Sequence, residues 1–347
     1  MKALLLSSYL NLEIAEMPPP VPGPDDVLVR VAACGICGSD VHGYDGSSRR
    51  RIPPIVMGHE AAGTVTAVGA GVRNFSVGER VTFDSTISCG ACDYCVRGEI
   101  NLCDRRKVLG VSCADYRCAG AFAEFVIVPQ HIVHRLPESL SFSEAAMLEA
   151  VSVALHAVSL SNIAPGQTAL VLGAGMIGLL TLQALRVAGC SRVFVADVDP
   201  SRLKLATGLG ASAALLARGT ELISQISDLT DGRGVDVAWE AVGLNETVRT
   251  AIDCVRKGGA VTLVGNIESE VKLPLQKVVT RQIRLQGSCA SAGEFPQAIE
   301  LVASGRIQVK PLITVIAPLE EGPRWFERLH SREPNLMKVV LTPGAAE

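Results

Sequence analysis

The chain has few aromatic and few charged residues. Aromatic residues make up 4% and charged residues 19% of its 347 residues, and the net charge is −3. A nucleic-acid-binding surface needs clustered Lys and Arg, and the run Arg49 to Arg51 is too short to form such a tract. We therefore expect no nucleic-acid partner.

Long apolar runs are also missing. No stretch reaches the roughly 20 apolar residues that a transmembrane helix needs. The N-terminal segment "MKALLLSSYLNLEIAEMPPP" has too short an apolar run for a secretory signal, and polar residues and prolines follow at once. We expect a cytoplasmic protein without a membrane partner. Hydrophobic residues make up 48% of the chain, which allows a large core.

The length predicts about two domains, and the character of the sequence changes along the chain. Residues 1 to about 150 consist of short strand-like runs broken by Gly and Pro, and the first convincing helix, "EAAMLEAVSVALHAVSL", begins at Glu144. From Ala169 onward about six strands alternate with helices, the pattern of a doubly wound parallel sheet in an α/β fold. Asp199 and Pro200 predict the start of one of these helices. A helix in "GEFPQAIELVASG" and a final strand "KVVLTP" follow.

Four of the eleven cysteines fall in the short segment "CGACDYCVRGEINLC". In a reducing cytosol, clustered cysteines more often bind metal or react than form disulfides. Four thiolates complete the tetrahedral shell of zinc and leave no open position, so this site would stabilise a loop and catalyse nothing. Free surface thiols and a nucleic-acid zinc module are the alternatives, but the flanking charges are balanced. The predicted ligands are Cys89, Cys92, Cys95 and Cys103.

The segment "VLGAGMIG" predicts a dinucleotide site. Gly173, Gly175 and Gly178 have the G-x-G-x-x-G spacing directly after a predicted strand and at the start of a helix, where free N–H groups can bind a pyrophosphate. Asp197 ends the next strand, where a carboxylate would bond the ribose hydroxyls and repel a 2′-phosphate. This pattern favours NAD over NADP. A Rossmann-type domain that binds another ligand is the alternative.

A second, open zinc site is suggested by "CGICGSDVH" and "GHEAAGTVTAVGAGV". Cys37, His59 and Glu60 are suitable ligands, although neither segment forms a closed site alone. A redox-active pair of Cys34 and Cys37 is an alternative, but such a pair normally belongs to a strand-helix unit, and this one lies in strand-rich sequence.

Together these motifs resemble the zinc-dependent medium-chain dehydrogenases, most closely their polyol (sorbitol-type) and threonine dehydrogenase branch. "GICGSD", "GHEAAGTVTAVGAGV", the four-cysteine segment, "VLGAGMIG" and "VTLVG" occur in the family's order, and the resemblance runs the whole length. It implies a GroES-like, strand-rich catalytic domain at residues 1–152, a Rossmann domain at 153–289, a return to the catalytic domain at 290–347, and an active site in the cleft between the domains.

The resemblance also implies roles for single residues. Cys37, His59 and Glu60 match catalytic-zinc ligands, and Glu149 matches a position that either binds zinc directly or contacts its bound water. Ser39 matches the hydroxyl that receives the substrate's proton, and His42 matches the group that passes it to solvent. The four cysteines match the structural zinc. Residues matching cofactor contacts, besides the three glycines, are Ile177, Asp197, Arg202, Val264, Gly265, Ser288, Cys289 and Ala290.

The implied reaction is the oxidation of a secondary hydroxyl of a polyol or diol to a ketone, with hydride transfer to NAD, by a homo-oligomer (dimer or tetramer). A polyol phosphate or L-threonine are alternative substrates, and a non-catalytic, crystallin-like binder is an alternative of another class. Sorbitol dehydrogenases carry an Arg-Tyr pair where this chain has Ala290 and Ser291, so the resemblance does not extend to D-sorbitol itself. Arg49 to Arg51 either bind an anionic group of the substrate or form a solvated turn.

Overall fold

The computed structural model describes residues 1–344. The strands in chain order are β1 (Lys2–Ser8), β2 (Asn11–Glu16), β3 (Asp26–Gly35), β4 (Ile55–Val56), β5 (Glu60–Val68), β6 (Arg80–Phe83), β7 (Thr86–Ile87), β8 (Lys107–Val108), β9 (Phe125–Pro129), β10 (Val133–Arg135), β11 (Thr168–Leu172), β12 (Arg192–Asp197), β13 (Ala213–Leu216), β14 (Val235–Glu240), β15 (Val255–Leu263), β16 (Arg284–Gly287), β17 (Ile313–Pro318) and β18 (Lys338–Thr342).

The helices are α1 (Gly38–Tyr44), α2 (Asp93–Val96), α3 (Phe142–Ala145), α4 (Leu148–Ser159), α5 (Met176–Val187), α6 (Pro200–Gly208), α7 (Gly219–Leu229), α8 (Asn245–Cys254), α9 (Leu275–Thr280), α10 (Phe295–Ala303) and α11 (Gly322–His330). The chain divides into two compact units. The first comprises residues 1–149, 295–305 and 309–347, and the second comprises 150–294 and 306–308. The boundaries at 152/153 and 289/290 stay a prediction.

The first unit is built on a mixed sheet whose strand order is β10-β6-β5-β3-β18-β17, with β9 also paired to β3. Strand β3 alternates inward apolar residues such as Val27, Val29 and Val31, all fully buried, because alternate side chains of a strand point to the same face. A three-stranded sheet (β2-β1-β4) and a two-stranded sheet (β7-β8) complete the unit's sheets among residues 1–344. Strand β18, near the end of the described residues, pairs with β3 and so belongs to the mixed sheet of the first unit.

Two details of the helices before residue 160 differ from the sequence prediction. The helical segment from Glu144 is divided into the short α3, capped by Ser141, and the longer α4, which begins at Leu148. Helices α1 and α2 were not predicted, because they have only seven and four residues, lie next to cysteines and have no apolar periodicity to mark them.

The second unit is a six-stranded parallel sheet in the order β13-β12-β11-β14-β15-β16. The order reverses at β11, which is the topological switch point of a doubly wound fold and the usual ligand position. The predicted α/β pattern is therefore confirmed. Helix α6 begins as predicted, with the Asp199 side chain accepting a hydrogen bond from Ser201 N–H and Pro200 in the first turn. Trp239 is fully buried, and its indole N–H donates to the Ala157 carbonyl.

Candidate active site and metal centres

The four-cysteine segment forms a compact cluster around α2. The Sγ atom of Cys95 lies 3.5 Å from that of Cys92 and 4.0 Å from that of Cys89. A tetrahedral zinc site with Zn–S distances of about 2.3 Å places its sulfurs roughly 3.8 Å apart. The ligand atoms of these cysteines and of Cys103 all lie within 4.8 Å of one another, so the donor set fits zinc.

Backbone donors prepare this cluster for thiolates. The N–H groups of Cys89 and Arg105 donate to Cys103 Sγ at 3.2 and 3.4 Å. Backbone N–H groups of Ala91 and Cys92 donate to the Cys89 sulfur and lower the pKa of that thiol to about 6. Since zinc binds the thiolate, these donors favour the metal-binding form.

A second cluster lies where β3 and β5 pair. Cys37 is the N-cap of α1, and His59 and Glu60 stand at the start of β5. Gly35 pairs with Glu60 in the β-ladder, and a Cβ at Gly35 would lie 2.5 Å from a carboxylate oxygen of Glu60. The missing side chain therefore leaves room for the Glu60 carboxylate. The ligand atoms of Cys37, His59 and Glu60 lie within 4.8 Å of one another, and this sulfur, nitrogen and oxygen donor set suits zinc.

Charged partners surround this cluster. Asp40 is fully buried; its Oδ2 accepts a hydrogen bond from Cys37 N–H, and its Oδ1 lies 3.3 Å from His59 Nδ1. Burial would raise the pKa of Asp40, but the charges of His59 and Arg51 outweigh it and lower the pKa to about 2. The ionised Asp40 therefore orients the His59 ring, as carboxylates behind metal-binding histidines do.

Lys338 is a buried cation that the sequence analysis missed. Its Nζ donates to Glu60 Oε2 at 2.5 Å and to the Ile36 carbonyl at 3.2 Å. Both side chains are at most 3% exposed, so the pair is an ion pair inside the unit. Lys338 opens the apolar strand β18, and a charged residue at a strand position with buried neighbours was the available signal.

Glu149 lies near this cluster without belonging to the three-ligand group. Its carboxyl is close enough to interact electrostatically with His59, Glu60, Asp84 and Lys338. The pKa of Glu149 is raised to about 7, chiefly by burial; Glu60 and Asp84 also raise it, whereas His59 and Lys338 lower it. The structure thus brings a second carboxyl to the site, as expected for either a fourth ligand or a partner of bound water.

Ser39 and His42 lie on α1, immediately after Cys37. Ser39 is half-buried and accepts a hydrogen bond from Arg51, whereas His42 is exposed and its Nδ1 lies 3.3 Å from Ser47 Oγ. Among residues 1–344, no hydrogen bond joins Ser39 directly to His42.

The glycine loop of the second unit has the geometry that a dinucleotide needs. Gly173 has φ = +97°, which favours glycine, and a Cβ at Gly178 would lie 1.7 Å from the Gly173 carbonyl oxygen. Gly175 is the N-cap of α5, and a Cβ there would meet no atom. Gly173 therefore forms the turn, Gly178 lets the helix pack closely, and Gly175 leaves space for a pyrophosphate at the helix N-terminus.

Asp197 lies at the carboxyl end of β12 and is 7% exposed. Its two oxygens accept hydrogen bonds from Ala174 N–H at 2.6 Å and Asp199 N–H at 2.9 Å. These bonds hold the carboxylate beside the glycine loop. Arg202 Nη1 lies 4.0 Å from Asp197 Oδ2, so the predicted cofactor contacts include one cation next to the carboxylate.

The remaining predicted cofactor residues lie at the same edge of the sheet. Parallel strands all end at one edge, and Val264 and Gly265 follow β15 while residues 288–290 follow β16. Glu240 ends β14, and its backbone carbonyl accepts hydrogen bonds from both Val264 N–H and Gly265 N–H. The structure gathers the predicted residues Gly173, Gly175, Ile177, Gly178, Asp197, Arg202, Val264, Gly265, Ser288, Cys289 and Ala290 along the carboxyl ends of β11, β12, β15 and β16.

Comparison with known proteins decides the family. Residues 23–138 match the alcohol dehydrogenase GroES-like domain, and residues 177–304 match the zinc-binding dehydrogenase domain. The sorbitol dehydrogenase of Bacillus subtilis (strain 168) is 34% identical over 99% of this chain and 98% of its own length. The chain belongs to the zinc-dependent medium-chain dehydrogenases. The L-idonate 5-dehydrogenase of Vitis vinifera is 38% identical over 84% of this chain and 81% of its own length.

Solved structures of this dehydrogenase family agree. A zinc-binding dehydrogenase of Sinorhizobium meliloti 1021 bound to NADP has a TM-score of 0.89, 33% identity and 99% coverage of both chains. An Escherichia coli CFT073 alcohol dehydrogenase complexed with NADH has a TM-score of 0.91, 31% identity and 99% coverage of both chains. Galactitol-1-phosphate dehydrogenase from Escherichia coli has a TM-score of 0.91, 26% identity and coverage of 99% and 100%.

These findings confirm the predicted family, the GroES-like and Rossmann-type fold and the assignment to dehydrogenases that act on small-molecule alcohols. The two zinc-ligand groups agree with the name of the matching family. Within residues 1–344, no helix is long and apolar enough to cross a membrane.

Proposed function

We propose that this dehydrogenase oxidises a secondary hydroxyl of a polyol or vicinal diol to a ketone, with NAD as the acceptor. The observation that carries the proposal is the cluster of Cys37, His59 and Glu60 with the Glu149 carboxyl close to it and the Ser39 hydroxyl two residues from Cys37. The relatives named for sorbitol and L-idonate support a substrate that carries several hydroxyls.

The chain's own residues divide the work. Cys37, His59 and Glu60 would hold the catalytic zinc, and Glu149 would be its fourth ligand or a partner of its water; Cys89, Cys92, Cys95 and Cys103 would hold the structural zinc. When bound, the catalytic zinc supplies Lewis-acid polarisation of a hydroxyl oxygen. Ser39 accepts the substrate's proton, and His42, exposed on the same helix, passes a proton to solvent.

Asp197 sets the cofactor preference in this proposal. The edge of the sheet formed by the glycine loop and Asp197 would hold NAD, which supplies the hydride acceptor when bound. The Asp197 carboxylate would repel a 2′-phosphate at this position, although Arg202 would offset part of that repulsion.

A second diol hydroxyl favours this site over a simple alcohol site. Glu149 is held near the ligand group and can bond a second hydroxyl, which ethanol lacks. A polyol phosphate is the second candidate substrate, because Arg49 and Arg50 are exposed on the loop that follows α1, and one similar structure is a galactitol-1-phosphate dehydrogenase. Arg51 is buried and paired with Asp40, so the alternative of a solvated turn does not extend to that residue.

The test is a screen of NAD reduction across free polyols, vicinal diols, polyol phosphates, L-threonine and ethanol. We expect free polyols or diols to be oxidised, and Cys37→Ser to abolish turnover while leaving thermal unfolding nearly unchanged. Replacing Arg49 and Arg50 by Ala should remove any advantage of a phosphate and leave neutral substrates unaffected. Oxidation of ethanol with no activity on the other classes would overturn the substrate proposal.

We also propose that the protein is a homo-oligomer in the cytoplasm. Helix α9 of the second unit, which precedes the edge strand β16, exposes apolar side chains, with Leu275 62% and Val279 67% exposed. A second copy could cover them. Five cysteines belong to the proposed metal sites, and a reducing compartment would keep the four thiolates of the structural cluster available to zinc.

A further inference from the structure

Arg51 is a buried cation that touches the proton-accepting serine. Its side chain is 5% exposed, and one nitrogen, Nη2, lies 3.1 Å from Ser39 Oγ and 3.1 Å from Asp40 Oδ1. Asp40 in turn faces His59 Nδ1. One guanidinium group therefore connects the serine of the proposed proton path with the carboxylate that orients a proposed zinc ligand.

The fold holds Arg51 in this place from two sides. Gly43 of α1 faces it, and a Cβ at Gly43 would lie 2.6 Å from Arg51 Cδ, so the missing side chain makes room for the aliphatic part of the arginine. Arg51 forms an isolated β-bridge with Ser112. The Ser112 hydroxyl accepts a hydrogen bond from Ile52 N–H and donates one to the Ile52 carbonyl, so the residue that follows Arg51 is also held. These contacts fix the arginine against the helix that carries Ser39.

The hydrogen bond determines what the serine hydroxyl can do. A hydroxyl has two acceptor lone pairs and one donor hydrogen, and a guanidinium has donors only. With one lone pair occupied by Arg51, Ser39 keeps one lone pair for the substrate hydroxyl and its own O–H for the next acceptor. The serine can then gain the substrate's proton while it gives up its own, so one O–H bond forms as another breaks.

Resting on the proposed function, we propose that Arg51 is a positioning residue of the proton path, which orients Ser39 so that its lone pair faces the substrate and its hydrogen faces outward. The simpler alternative is that Arg51 only neutralises the buried Asp40. The two differ in one respect: a purely neutralising cation should act equally well whether or not residue 39 has a hydroxyl.

A double-mutant cycle separates these roles. Arg51→Lys keeps a positive charge for Asp40 but loses the planar guanidinium fork, so it should preserve zinc content and thermal unfolding. The substrate is one for which protonated and deuterated forms show that hydride transfer limits the rate. With it, Arg51→Lys should lower kcat by about 10- to 100-fold, the range of a hydrogen bond from a charged donor, with little change in KM. In the Ser39→Ala background the same change should have almost no further effect. Arg73→Lys, at an exposed arginine of the same unit outside the site, is the matched control and should be silent in both backgrounds.

A second readout does not depend on turnover. The Arg51 guanidinium signals in a ¹⁵N NMR spectrum, identified by their loss in Arg51→Lys, should shift in Ser39→Ala. Unchanged signals, or an equal loss of kcat from Arg51→Lys in both backgrounds, would overturn the inference while leaving the dehydrogenase assignment intact. Absence of NAD reduction with every substrate class would instead overturn the proposed function, and this inference with it.

Discussion

At the scale of single residues, Asp197 combines two tasks that make its substitution informative. It holds the glycine loop through Ala174 N–H and presents its charge where the ribose of the cofactor would lie. The first task is structural and the second is electrostatic. A neutral residue that can still accept a hydrogen bond keeps part of the first and removes the second.

We therefore predict that Asp197→Ser weakens NAD binding and relaxes the preference for NAD over NADP. The physical reason is the loss of both the ribose contacts and the repulsion of a 2′-phosphate, while Arg202 remains nearby to attract that phosphate. The ratio of kcat/KM for the two cofactors measures the effect. Asp199→Ser, a half-buried position that keeps a good helix N-cap, is the control. Equal efficiency of the unmodified enzyme with both cofactors would contradict the prediction.

The residues that sequence reasoning missed share one physical cause. Lys338 reaches Glu60 across 278 positions of the chain, and only the pairing of β18 with β3 brings them together. Arg49, Arg50 and Arg51 look alike in sequence, but the close approach of Gly43 buries only the last of them. Ligand types and their spacing are local and could be predicted, whereas the charges that surround them depend on tertiary contacts.

At the scale of elements, the four-cysteine segment depends on metal more than on packing. Helix α2 has four residues, none of them buried, so the segment contributes little apolar burial of its own. Zinc-binding free energy is then also folding free energy for this segment. The segment should therefore be well ordered only when zinc occupies its site.

Cys92→Ser should consequently reduce the zinc content from about two to about one per chain and lower the thermal unfolding midpoint, because three thiolates bind the ion less tightly than four. Metal analysis and calorimetry of protein made with ample zinc measure both changes. Cys190→Ser, a half-buried cysteine outside either ligand group, should keep two zinc ions. A Cys92→Ser protein that retains both ions and full stability would refute a zinc role for this segment.

In the parallel sheet of the second unit, one carboxylate accepts hydrogen bonds from both neighbouring strands. Asp236 of β14 accepts hydrogen bonds from Thr168 N–H and Oγ at 2.8 and 2.9 Å and from Arg256 Nε at 2.7 Å. Burial would raise its pKa, but these donors outweigh burial and lower the pKa below the usual 3.8. The ionised side chain thus links β11, β14 and β15.

Because this pKa is lower in the folded state, the stabilisation is present above about pH 4 and is lost as the pH falls through the folded-state pKa. We predict that Asp236→Asn lowers the free energy of unfolding by about 1–2 kcal/mol at pH 7, and that the difference from the unmodified protein shrinks at pH 3. Thermal unfolding at both pH values measures it. Asp228→Asn, an exposed position on α7, should change little at either pH, and a difference for Asp236→Asn that grows on acidification would reverse the proposed sign.

At the scale of the whole molecule, the two units differ in how far the sequence could specify them. The second unit repeats strand, helix and turn signals with regular spacing, so its sheet and the edge that would bind the cofactor follow from local pattern. In the first unit, β3 pairs with β5, β9 and β18, which come from distant parts of the chain. No local sequence pattern indicates this order of strands in the sheet. Sequence reasoning reached its strand-rich architecture through the resemblance of motifs.

The exposed apolar surface of the second unit carries the prediction about assembly. Strand β16 is the last strand of its sheet, and its unpaired side offers backbone donors and acceptors to another strand. Helix α9, which leads into β16, exposes Leu275 and Val279, and the preceding segment exposes Val271 and Leu273. Water alone could satisfy the unpaired backbone groups of the edge strand, but the adjacent apolar side chains favour burial against a protein surface.

If a second copy covers this surface, Val279→Glu should place a charge in the contact and shift the protein toward monomers in sedimentation velocity experiments. Val77→Glu is a matched control, because Val77 is 66% exposed and Val279 is 67% exposed, yet Val77 belongs to the first unit and lies outside this surface. Burying an unpaired carboxylate costs several kcal/mol, which is enough to disrupt a small contact. A monomeric unmodified protein, or an assembly that Val279→Glu and Val77→Glu affect equally, would show that α9 and β16 do not form the interface.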